Sequence, residues 1–174
     1  MIMNLYLGID IGSVSTDAVL LDGQKTLCAY SIVKSGFDHQ IAVQEVINDI
    51  CRKSEITAEQ IRRTVATGYG RRNVSGAYKT VTEITCHAMG THFLSPDIRT
   101  VIDIGGQDSK VIRISKYGYA ETFYMNDKCA AGTGRFLEVM AQTMGIGIEA
   151  LGSAALTAKK AEPISSTCTV FAES

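Results

Sequence analysis

The sequence predicts an α/β fold in which strands carry packed helices, and three observations lead to this prediction. Short apolar runs of strand length alternate with segments of helical periodicity. Glycine-rich turns follow two of the apolar runs, each time after the residues Asp-Ile. The 174-residue chain is 45% hydrophobic and 20% charged, which is enough apolar sequence for a core and argues against disorder.

The first part of the chain is predicted to form three antiparallel strands and a helix. Apolar runs cover 5–11, 18–21 and 26–33, and the Asp22-Gly23 pair is typical of a hairpin turn. Helical spacing follows over 39–52, and Asp38 precedes it as an N-cap. Further along, Thr57 and Gln60 have the spacing of a capping box for a short helix.

The remaining elements repeat this order of strands and helices. Strands are predicted at 64–67, 100–104, 110–114 and 119–125, and helices at 83–93 and 135–144. The motif Asp10-Ile-Gly-Ser13 has a counterpart in Asp103-Ile-Gly-Gly106. This weak internal repetition predicts two related lobes, which we place at 1–95 and 96–174.

Composition excludes several classes of protein. Lys plus Arg total 17 and Asp plus Glu total 18, so the net charge of −1 offers no basic face for nucleic acid and no polybasic membrane patch. No apolar run is long enough for a membrane span, and the N-terminus lacks signal-peptide features, so we expect a cytoplasmic protein. Five cysteines without a Cys-x-x-Cys pair argue against a disulfide framework.

The first glycine-rich turn has the composition of a phosphate-binding loop. Gly12 removes a side chain where the strand turns, and Ser13, Ser15 and Thr16 place hydroxyl groups around it. Asp10 at the strand end could hold a metal ion through water. Taken alone, this turn is equally consistent with an ordinary hairpin.

The second glycine-rich turn makes the phosphate interpretation more specific. Asp103 occupies the same strand-end position, Gly105 and Gly106 form the turn, and Gln107 and Asp108 follow. Two such loops can clamp a polyphosphate and its Mg²⁺, and Gln107 or Asp108 could orient the water for hydrolysis. The candidate catalytic residues are Asp10, Gln107 and Asp108.

Two cysteines lie beside predicted helix starts. Cys129 belongs to a glycine-rich loop with Gly132 and Gly134, and free N–H groups of the helix that follows would favour an anion or a thiolate. Cys168 comes after a run of hydroxyl residues. Spacing alone is equally consistent with structural cysteines, a zinc site, a redox dithiol or a [4Fe–4S] cluster that a two-fold dimer completes.

Other candidate ligands have simpler structural interpretations. Three further cysteines lie within strand or helix patterns, where a free cysteine behaves as a small apolar residue. They are Cys28, Cys51 and Cys86. Glu83 and His87 are one helical turn apart, but without a third ligand we interpret them as a helix-surface pair. The turn at 67–71 is equally consistent with a simple turn and with a functional role.

Six motifs, taken in order along the chain, closely resemble one known family. They are Asp10-Ile-Gly-Ser with Ser15-Thr16, Thr67-Gly-Tyr-Gly-Arg71, Glu83-Ile-Thr-Cys-His-Ala88, Val101-Ile-Asp-Ile-Gly-Gly-Gln-Asp-Ser-Lys110, Asn126-Asp-Lys-Cys-Ala-Ala-Gly-Thr-Gly-Arg-Phe-Leu-Glu138 and Ile164-Ser-Ser-Thr-Cys-Thr-Val-Phe-Ala-Glu173. The family comprises the ATP-dependent activators of 2-hydroxyacyl-CoA dehydratases and the ATPase subunits of benzoyl-CoA reductase. The resemblance covers essentially the whole chain, and its last three motifs are long and specific.

The resemblance implies a fold, cofactors and site residues. The fold would be the actin-like ATPase (ribonuclease H-like) fold, with a mixed sheet and helices. A homodimer would share one [4Fe–4S] cluster held by Cys129 and Cys168 of each chain. ATP with Mg²⁺ would bind at the phosphate motifs. These motifs contain Asp10, Gly12, Ser13, Ser15, Thr16, Asp103, Gly105, Gly106, Gln107 and Asp108, with Gly132 and Gly134 in the later loop.

The function implied by the resemblance is ATP-driven electron delivery. One low-potential electron would pass from ferredoxin or flavodoxin to a partner dehydratase or reductase, where a substrate radical forms. We expect ATP hydrolysis to reorient the helices near the cluster and so to couple nucleotide state to redox potential and partner docking.

Two departures from the family pattern leave alternatives open. Asp17 stands where many members carry Lys or Asn, which puts a phosphate contact from that position in doubt. The sequence also stops before the family's glycine-rich adenosine-binding motif, so we expect the second lobe to be incomplete. A sugar-kinase-like phosphotransferase is one alternative, although the two cysteines would have no role in it. A non-catalytic module for cluster binding or dimerisation is the other.

Overall fold

The chain forms two units, each built on its own sheet, in a computed structural model that describes residues 4–161 and 163. The first unit ends at Gly90 and the second begins at Thr91. Cys168 lies outside the described residues, so its assignment as a cluster ligand stays a prediction.

The described residues form eight strands, four α-helices and two short 3₁₀ helices. The strands are β1 (Leu5–Ile11), β2 (Ser15–Leu21), β3 (Leu27–Lys34), β4 (Ile61–Gly68), β5 (Lys79–Thr80), β6 (Thr100–Ile104), β7 (Ser109–Ile114) and β8 (Ala120–Asn126). The helices are α1 (His39–Ser54), α2 (Glu83–Leu94), α3 (Gly134–Thr143) and α4 (Ile148–Thr157), with 3₁₀ helices at Ala58–Gln60 and Arg71–Asn73.

The first unit is a mixed five-stranded sheet with α1 packed against it. The strand order is β3-β2-β1-β4-β5, and β1 runs antiparallel to β2 but parallel to β4. Alternate residues of β1 are buried, as the two-residue period of a strand requires. Val46 and Ile50 of α1 are completely buried and join them in one apolar core. This packing fixes the carboxyl end of β1, where Asp10 and the first glycine loop lie.

Helix α1 begins and ends where the sequence indicates. The Asp38 side chain accepts the Gln40 N–H at 2.8 Å and so caps the first turn. Arg52 and Lys53 occupy the last turn, where cations interact favourably with the helix dipole. Glu55 then adopts a left-handed conformation with φ 53° and ends the helix.

A polar cluster links α1 to β3. Asp49 pairs with Lys53 Nζ at 2.6 Å, accepts a hydrogen bond of 2.6 Å from the buried Ser31 hydroxyl, and also pairs with Arg52. Lys53 makes the largest contribution, followed by Ser31 and Arg52, and together they hold the pKa of Asp49 well below its ordinary value of 3.8.

Replacing Asp49 with asparagine is expected to destabilise the first unit in a pH-dependent way. A carboxylate whose pKa is lowered by folding contributes its full stabilisation above its unfolded-state pKa and loses it as the pH falls through the folded-state pKa. Urea unfolding of wild type and Asp49→Asn should therefore differ most near neutral pH and progressively less below pH 3.8. Glu45→Gln, which removes an exposed carboxylate from the same helix, is the control. A difference between Asp49→Asn and wild type that does not change with pH would contradict this account.

The second unit contains an antiparallel sheet in the order β6-β7-β8. In β7 the buried side chains are Lys110, Ile112 and Ile114, and those between them point to the other face. Asp103 of β6 is the direct register partner of Lys110. The hairpin between β6 and β7 therefore places a carboxylate and an ammonium group on the same face of the sheet.

Helices α3 and α4 follow this sheet. Thr133, which precedes α3, is completely buried. Taken singly, no described helix is long and apolar enough to cross a membrane. Helices α3 and α4 meet the length and composition requirement only when combined, and a bend of 76° separates them.

The sequence does not predict the short strand β5 or the 3₁₀ helix Arg71–Asn73, and two further local features differ from its prediction. Residues Asp22-Gly23 do not form a two-residue hairpin, because the Asp22 carboxylate accepts the N–H groups of Gln24 and Thr26, both at 2.8 Å, and organises a longer loop. Lys25, rather than Gly23, takes the left-handed conformation, with φ 67°. Helix α4 lies outside the predicted elements, because a single charged residue leaves its polar face too weak to indicate helical periodicity.

Candidate functional site

The first glycine loop is closed by a backbone hydrogen bond at the end of β1. The Gly12 N–H donates to the Ser15 carbonyl at 2.9 Å. A Cβ atom at position 12 would lie 2.9 Å from that same oxygen, so the loop closes only around glycine. Ser13 is exposed at the tip and Ser15 is half-buried. The Ser13 side chain is therefore exposed at the tip of a closed turn, and its role in binding phosphate stays a prediction.

Thr16 anchors this loop from inside. Its side chain is completely buried, and its hydroxyl oxygen lies 3.0 Å from Ser35 Oγ. The Ser35 hydroxyl donates in turn to the Gly12 carbonyl at 2.7 Å, and the Ser35 N–H donates to the Val14 carbonyl at 3.0 Å. The structure therefore places the Thr16 hydroxyl in an internal network that sets the shape of the loop.

Two carboxylates lie side by side at the base of the first loop. Asp10 and Asp17 are direct partners in the register of β1 and β2. Asp17 Oδ2 accepts a hydrogen bond of 3.1 Å from the Ser15 hydroxyl, and Oδ1 is buried with no hydrogen-bond partner among the described residues. Burial raises the pKa of Asp17, although the Ser15 hydrogen bond opposes that rise. The base of the first loop is therefore acidic.

The turn after β4 packs directly against this base. The Gly70 N–H donates to the Ile11 carbonyl at 2.9 Å, and the Arg71 guanidinium donates to the Gly68 carbonyl at 2.9 Å. Gly68 has φ 90°, and a Cβ atom there would collide with Asp10 Oδ1 and with the Ile11 carbonyl. The glycine-rich turn at 67–71 therefore packs closely against Asp10 and Ile11. Its two glycines are the signal in the sequence for this close approach.

The second glycine loop repeats the backbone geometry of the first. The Gly105 N–H donates to the Asp108 carbonyl at 2.9 Å, with the same three-residue spacing. A Cβ atom at Gly105 would collide with the Asp108 carboxylate. Gly106 is half-buried and Gln107 is exposed at the tip. The repetition seen in the sequence therefore extends to the hydrogen bond that closes each loop.

A buried lysine distinguishes the second loop from the first. Lys110 has a side chain only 3% exposed, and its Nζ lies 2.8 Å from Asp108 Oδ1 and 3.2 Å from Asp103 Oδ2. In the first loop, Asp17 occupies the matching register position opposite Asp10. Lys110 ends one of the six motifs that carry the family resemblance, but the sequence analysis assigns it no role. The available signal is its place seven residues after the strand-end aspartate.

The start of α3 rests on the second glycine loop. The Gly134 N–H donates to the Gly105 carbonyl at 2.8 Å, and the Arg135 N–H donates to the Gly106 carbonyl at 2.9 Å. The prediction that this helix start offers free N–H groups to an anion is therefore wrong at these two residues. Their hydrogen bonds join the cysteine loop to the glycine loop instead.

Cys129 is half-buried in the loop between β8 and α3. Its carbonyl accepts a hydrogen bond of 3.1 Å from Asn126 Nδ2. Helix α3 begins only at Gly134, so Cys129 precedes the helix rather than lying in its first turn. Among the described residues there is no group of three or more His, Cys, Asp or Glu side chains that could hold a metal ion.

A cleft of about 380 Å³ adjoins the cysteine loop. Strands β6, β7 and β8 supply an apolar wall, and Gly132 closes one side with φ 77°, a conformation that favours glycine. The cleft is lined in part by Ile102, Ile104, Lys110, Tyr124, Asn126 and Gly132. It lies beside the cysteine loop on the face of the sheet that carries Ile102 and Ile104, opposite the face that carries Asp103 and the Lys110 side chain.

The other three cysteines lie within regular elements, which confirms their predicted setting. Cys28 is exposed on β3, and Cys51 and Cys86 are half-buried on α1 and α2. Burial is the main cause that raises the pKa of the Cys86 thiol. The negative charges of Asp10 and Glu83 raise it further.

Comparison with known proteins gives close relatives over nearly the whole chain. The sequence matches the BadF/BadG/BcrA/BcrD ATPase family over residues 7–174. The activator of lactoyl-CoA dehydratase from Anaerotignum propionicum is 49% identical over 168 residues, which are 97% of this chain and 64% of that protein. This chain therefore spans less than two thirds of the length of that relative.

Two solved structures superimpose closely on the chain. Component A of (R)-2-hydroxyglutaryl-CoA dehydratase from Acidaminococcus fermentans gives a TM-score of 0.93 at 43% identity, covering 98% of this chain and 65% of that one. The activator of 2-hydroxyisocaproyl-CoA dehydratase from Clostridium difficile, solved with bound ADPNP, gives 0.91 at 43% identity, covering 97% and 63%.

More distant similarity concerns the fold alone. MreB 5 of Spiroplasma citri gives a TM-score of 0.51 at 12% identity, covering 91% of this chain and 65% of that one. Together with the closer structures, it confirms the predicted actin-like ATPase fold. The resemblance that the six motifs indicate is confirmed as well, and the chain belongs to the BadF/BadG/BcrA/BcrD ATPase family.

Proposed function

We propose that the two glycine loops bind the phosphates of ATP, and that the chain carries the phosphate-binding part of an ATPase that activates an acyl-CoA dehydratase or a related reductase. The repeated loop geometry carries this proposal. Each loop follows a strand that bears an aspartate, and each is closed by the same Gly N–H to carbonyl hydrogen bond. Membership of an ATPase family and the likeness to an activator solved with ADPNP support it.

The proposal gives six residues of the two loops a role. Gly12, Gly105 and Gly106 allow the backbone to approach phosphate oxygens, and the exposed Ser13 contributes a hydroxyl group. Asp10 would hold Mg²⁺ through water, since carboxylate oxygen suits this hard cation. Mg²⁺, when bound, neutralises charge that develops on the phosphates. Gln107, exposed at the tip of the second loop, would orient the attacking water.

ATP hydrolysis by the wild-type chain tests this proposal. We expect phosphate release that depends on Mg²⁺ and on Gln107. Gln107→Ala should lower the turnover number by about 100-fold, because the water loses its orienting group. Gln24→Ala replaces an exposed glutamine in a loop of the first unit and serves as the control. Unchanged turnover in Gln107→Ala would contradict the role given to that residue.

We further propose that the activator transfers electrons through a [4Fe–4S] cluster shared by two copies of the chain. Four thiolates are the usual ligand set of such a cluster, which takes up and releases one electron. Each chain would contribute Cys129 and Cys168, and a two-fold dimer presents both twice. The half-buried thiol of Cys129, in a loop that ends on the second glycine loop, fits this role. Ferredoxin or flavodoxin would be the electron donor.

Iron and sulfide analysis after purification without oxygen tests the cluster. Wild type and Cys28→Ser should contain about four irons per two chains, whereas Cys129→Ser should contain almost none. Cys28 is the matched control because its thiol is exposed on a strand of the first unit. Iron retained in Cys129→Ser would contradict the assignment. Iron without ATP turnover would support a non-catalytic cluster-binding module instead.

A further inference from the structure

We propose that Lys110 is a positioning residue for ATP hydrolysis, acting through the carboxylate of Asp108. This inference deepens the proposed function and rests on it. It also assigns different roles to the two candidate catalytic residues of the second loop. Gln107 would contact the attacking water, and Asp108 would hold the loop in shape.

Burial and pairing make Lys110 a rigid anchor. An ammonium group that is 3% exposed persists in a fold only when opposite charges compensate it, and two carboxylates do so here. Asp108 is the closer, at 2.8 Å, and Asp103 lies at 3.2 Å. Asp103 is also the register partner of Lys110 across the hairpin. Lys110 therefore links Asp103 at the base of the hairpin to Asp108 in its loop.

Asp108 is held by more than this ion pair. Its carbonyl accepts the hydrogen bond that closes the loop, and its carboxylate fills the space beside Gly105 that a Cβ atom would occupy. One carboxylate oxygen is therefore directed at Lys110 inside the unit. A general base must reach the proton that it removes, so this orientation suits an anchor better than a base.

Lys110 also sets the charge beneath the second loop. Without its positive charge, Asp103 and Asp108 would add two negative charges beside the phosphates that the loop is proposed to bind, and like charges repel. The first loop has Asp17 at the matching register position, so the two loops differ in charge although their backbones agree. At this register position the chain has a lysine in the second loop and an aspartate in the first.

Steady-state ATP hydrolysis by Lys110 variants tests the inference. Lys110→Met should lower kcat by about 100-fold while the KM for ATP changes by less than about threefold, because a misplaced loop impairs the reaction more than binding. Asp108→Asn should also lower kcat. The double variant should be no slower than Lys110→Met alone, since residues that act as one unit are not additive. Lys116→Met, an exposed lysine in the turn between β7 and β8, is the control.

The Lys110→Arg variant distinguishes a loss of positioning from a loss of the folded structure. It keeps the cation and should retain kcat within about fivefold of wild type, whereas removal of one partner from a buried ion pair endangers the fold itself. If Lys110→Met does not fold, Lys110→Arg and Asp108→Asn decide the question.

Several results would overturn this inference and leave the proposed function standing. They are wild-type kcat in Lys110→Met or Asp108→Asn, a change confined to KM, a multiplicative loss in the double variant, and loss of turnover in a folded Lys110→Arg. A wild-type chain without ATP turnover would instead overturn the proposed function, and the inference with it.

Discussion

Replacing Gly68 with alanine is expected to destabilise the first unit by about 2–3 kcal/mol and to weaken ATP binding. Gly68 has φ 90°, a conformation that costs an L-residue about 1–3 kcal/mol. The added Cβ atom would also collide with Asp10 Oδ1 and the Ile11 carbonyl, so the carboxylate at the base of the first loop must move. Urea unfolding measures the first effect and calorimetric titration with ATP measures the second.

Gly76→Ala is the matched control for this experiment. Gly76 has a similar φ of 75°, but a Cβ atom there would meet nothing within 4 Å. The control therefore includes the backbone strain without the collision, and it should leave ATP binding unchanged. If the two variants lose equal stability and bind ATP equally well, the turn at 67–71 does not position Asp10.

Alanine at Gly12 or at Gly105 is expected to weaken ATP binding at least about tenfold, which corresponds to about 1.4 kcal/mol. At Gly12 the Cβ atom would lie 2.9 Å from the Ser15 carbonyl, so the backbone must shift and the closing hydrogen bond must lengthen. At Gly105 the Cβ atom would displace the Asp108 carboxylate, which is held by Lys110. Each variant thus opens one loop, and titration of both with ATP measures the loss.

Gly23→Ala provides the comparison for the loop variants. Gly23 lies in the turn between β2 and β3, and the nearest atom to an added Cβ there would be 3.8 Å away. ATP binding in this variant should equal that of wild type. If Gly12→Ala binds ATP with wild-type affinity, the first loop is not part of the proposed site. The same result for Gly105→Ala would exclude the second loop.

Local patterns explain why much of the fold is predictable from the sequence. The predicted bounds of β1 and β6 agree with the structure, because a strand is recognised by a short apolar run that ends at glycine. Thr57 and Gln60 do form a capping box, since both partners lie within one turn. The two closed glycine loops are likewise local, so their repetition is visible in the sequence itself.

Contacts between residues far apart in the chain explain what the sequence does not show. The partner of the buried Thr16 hydroxyl is Ser35, which lies 19 residues later in the chain. Gly68 reaches Asp10 only because β4 pairs in parallel with β1. The N–H groups at the start of α3 bond to the loop between β6 and β7, and two strands, β7 and β8, separate that loop from the helix along the chain. Each of these residues has its role set by packing rather than by local pattern.

The central claim is that the glycine loops bind the phosphates of a nucleotide. Calorimetric titration of the wild-type chain with ATP and with adenosine, in the presence of Mg²⁺, tests it most directly. If the loops bind phosphate, ATP should bind at least about tenfold more tightly than adenosine, a difference of about 1.4 kcal/mol. Equal affinities for the two ligands, or no binding of ATP, would contradict the claim.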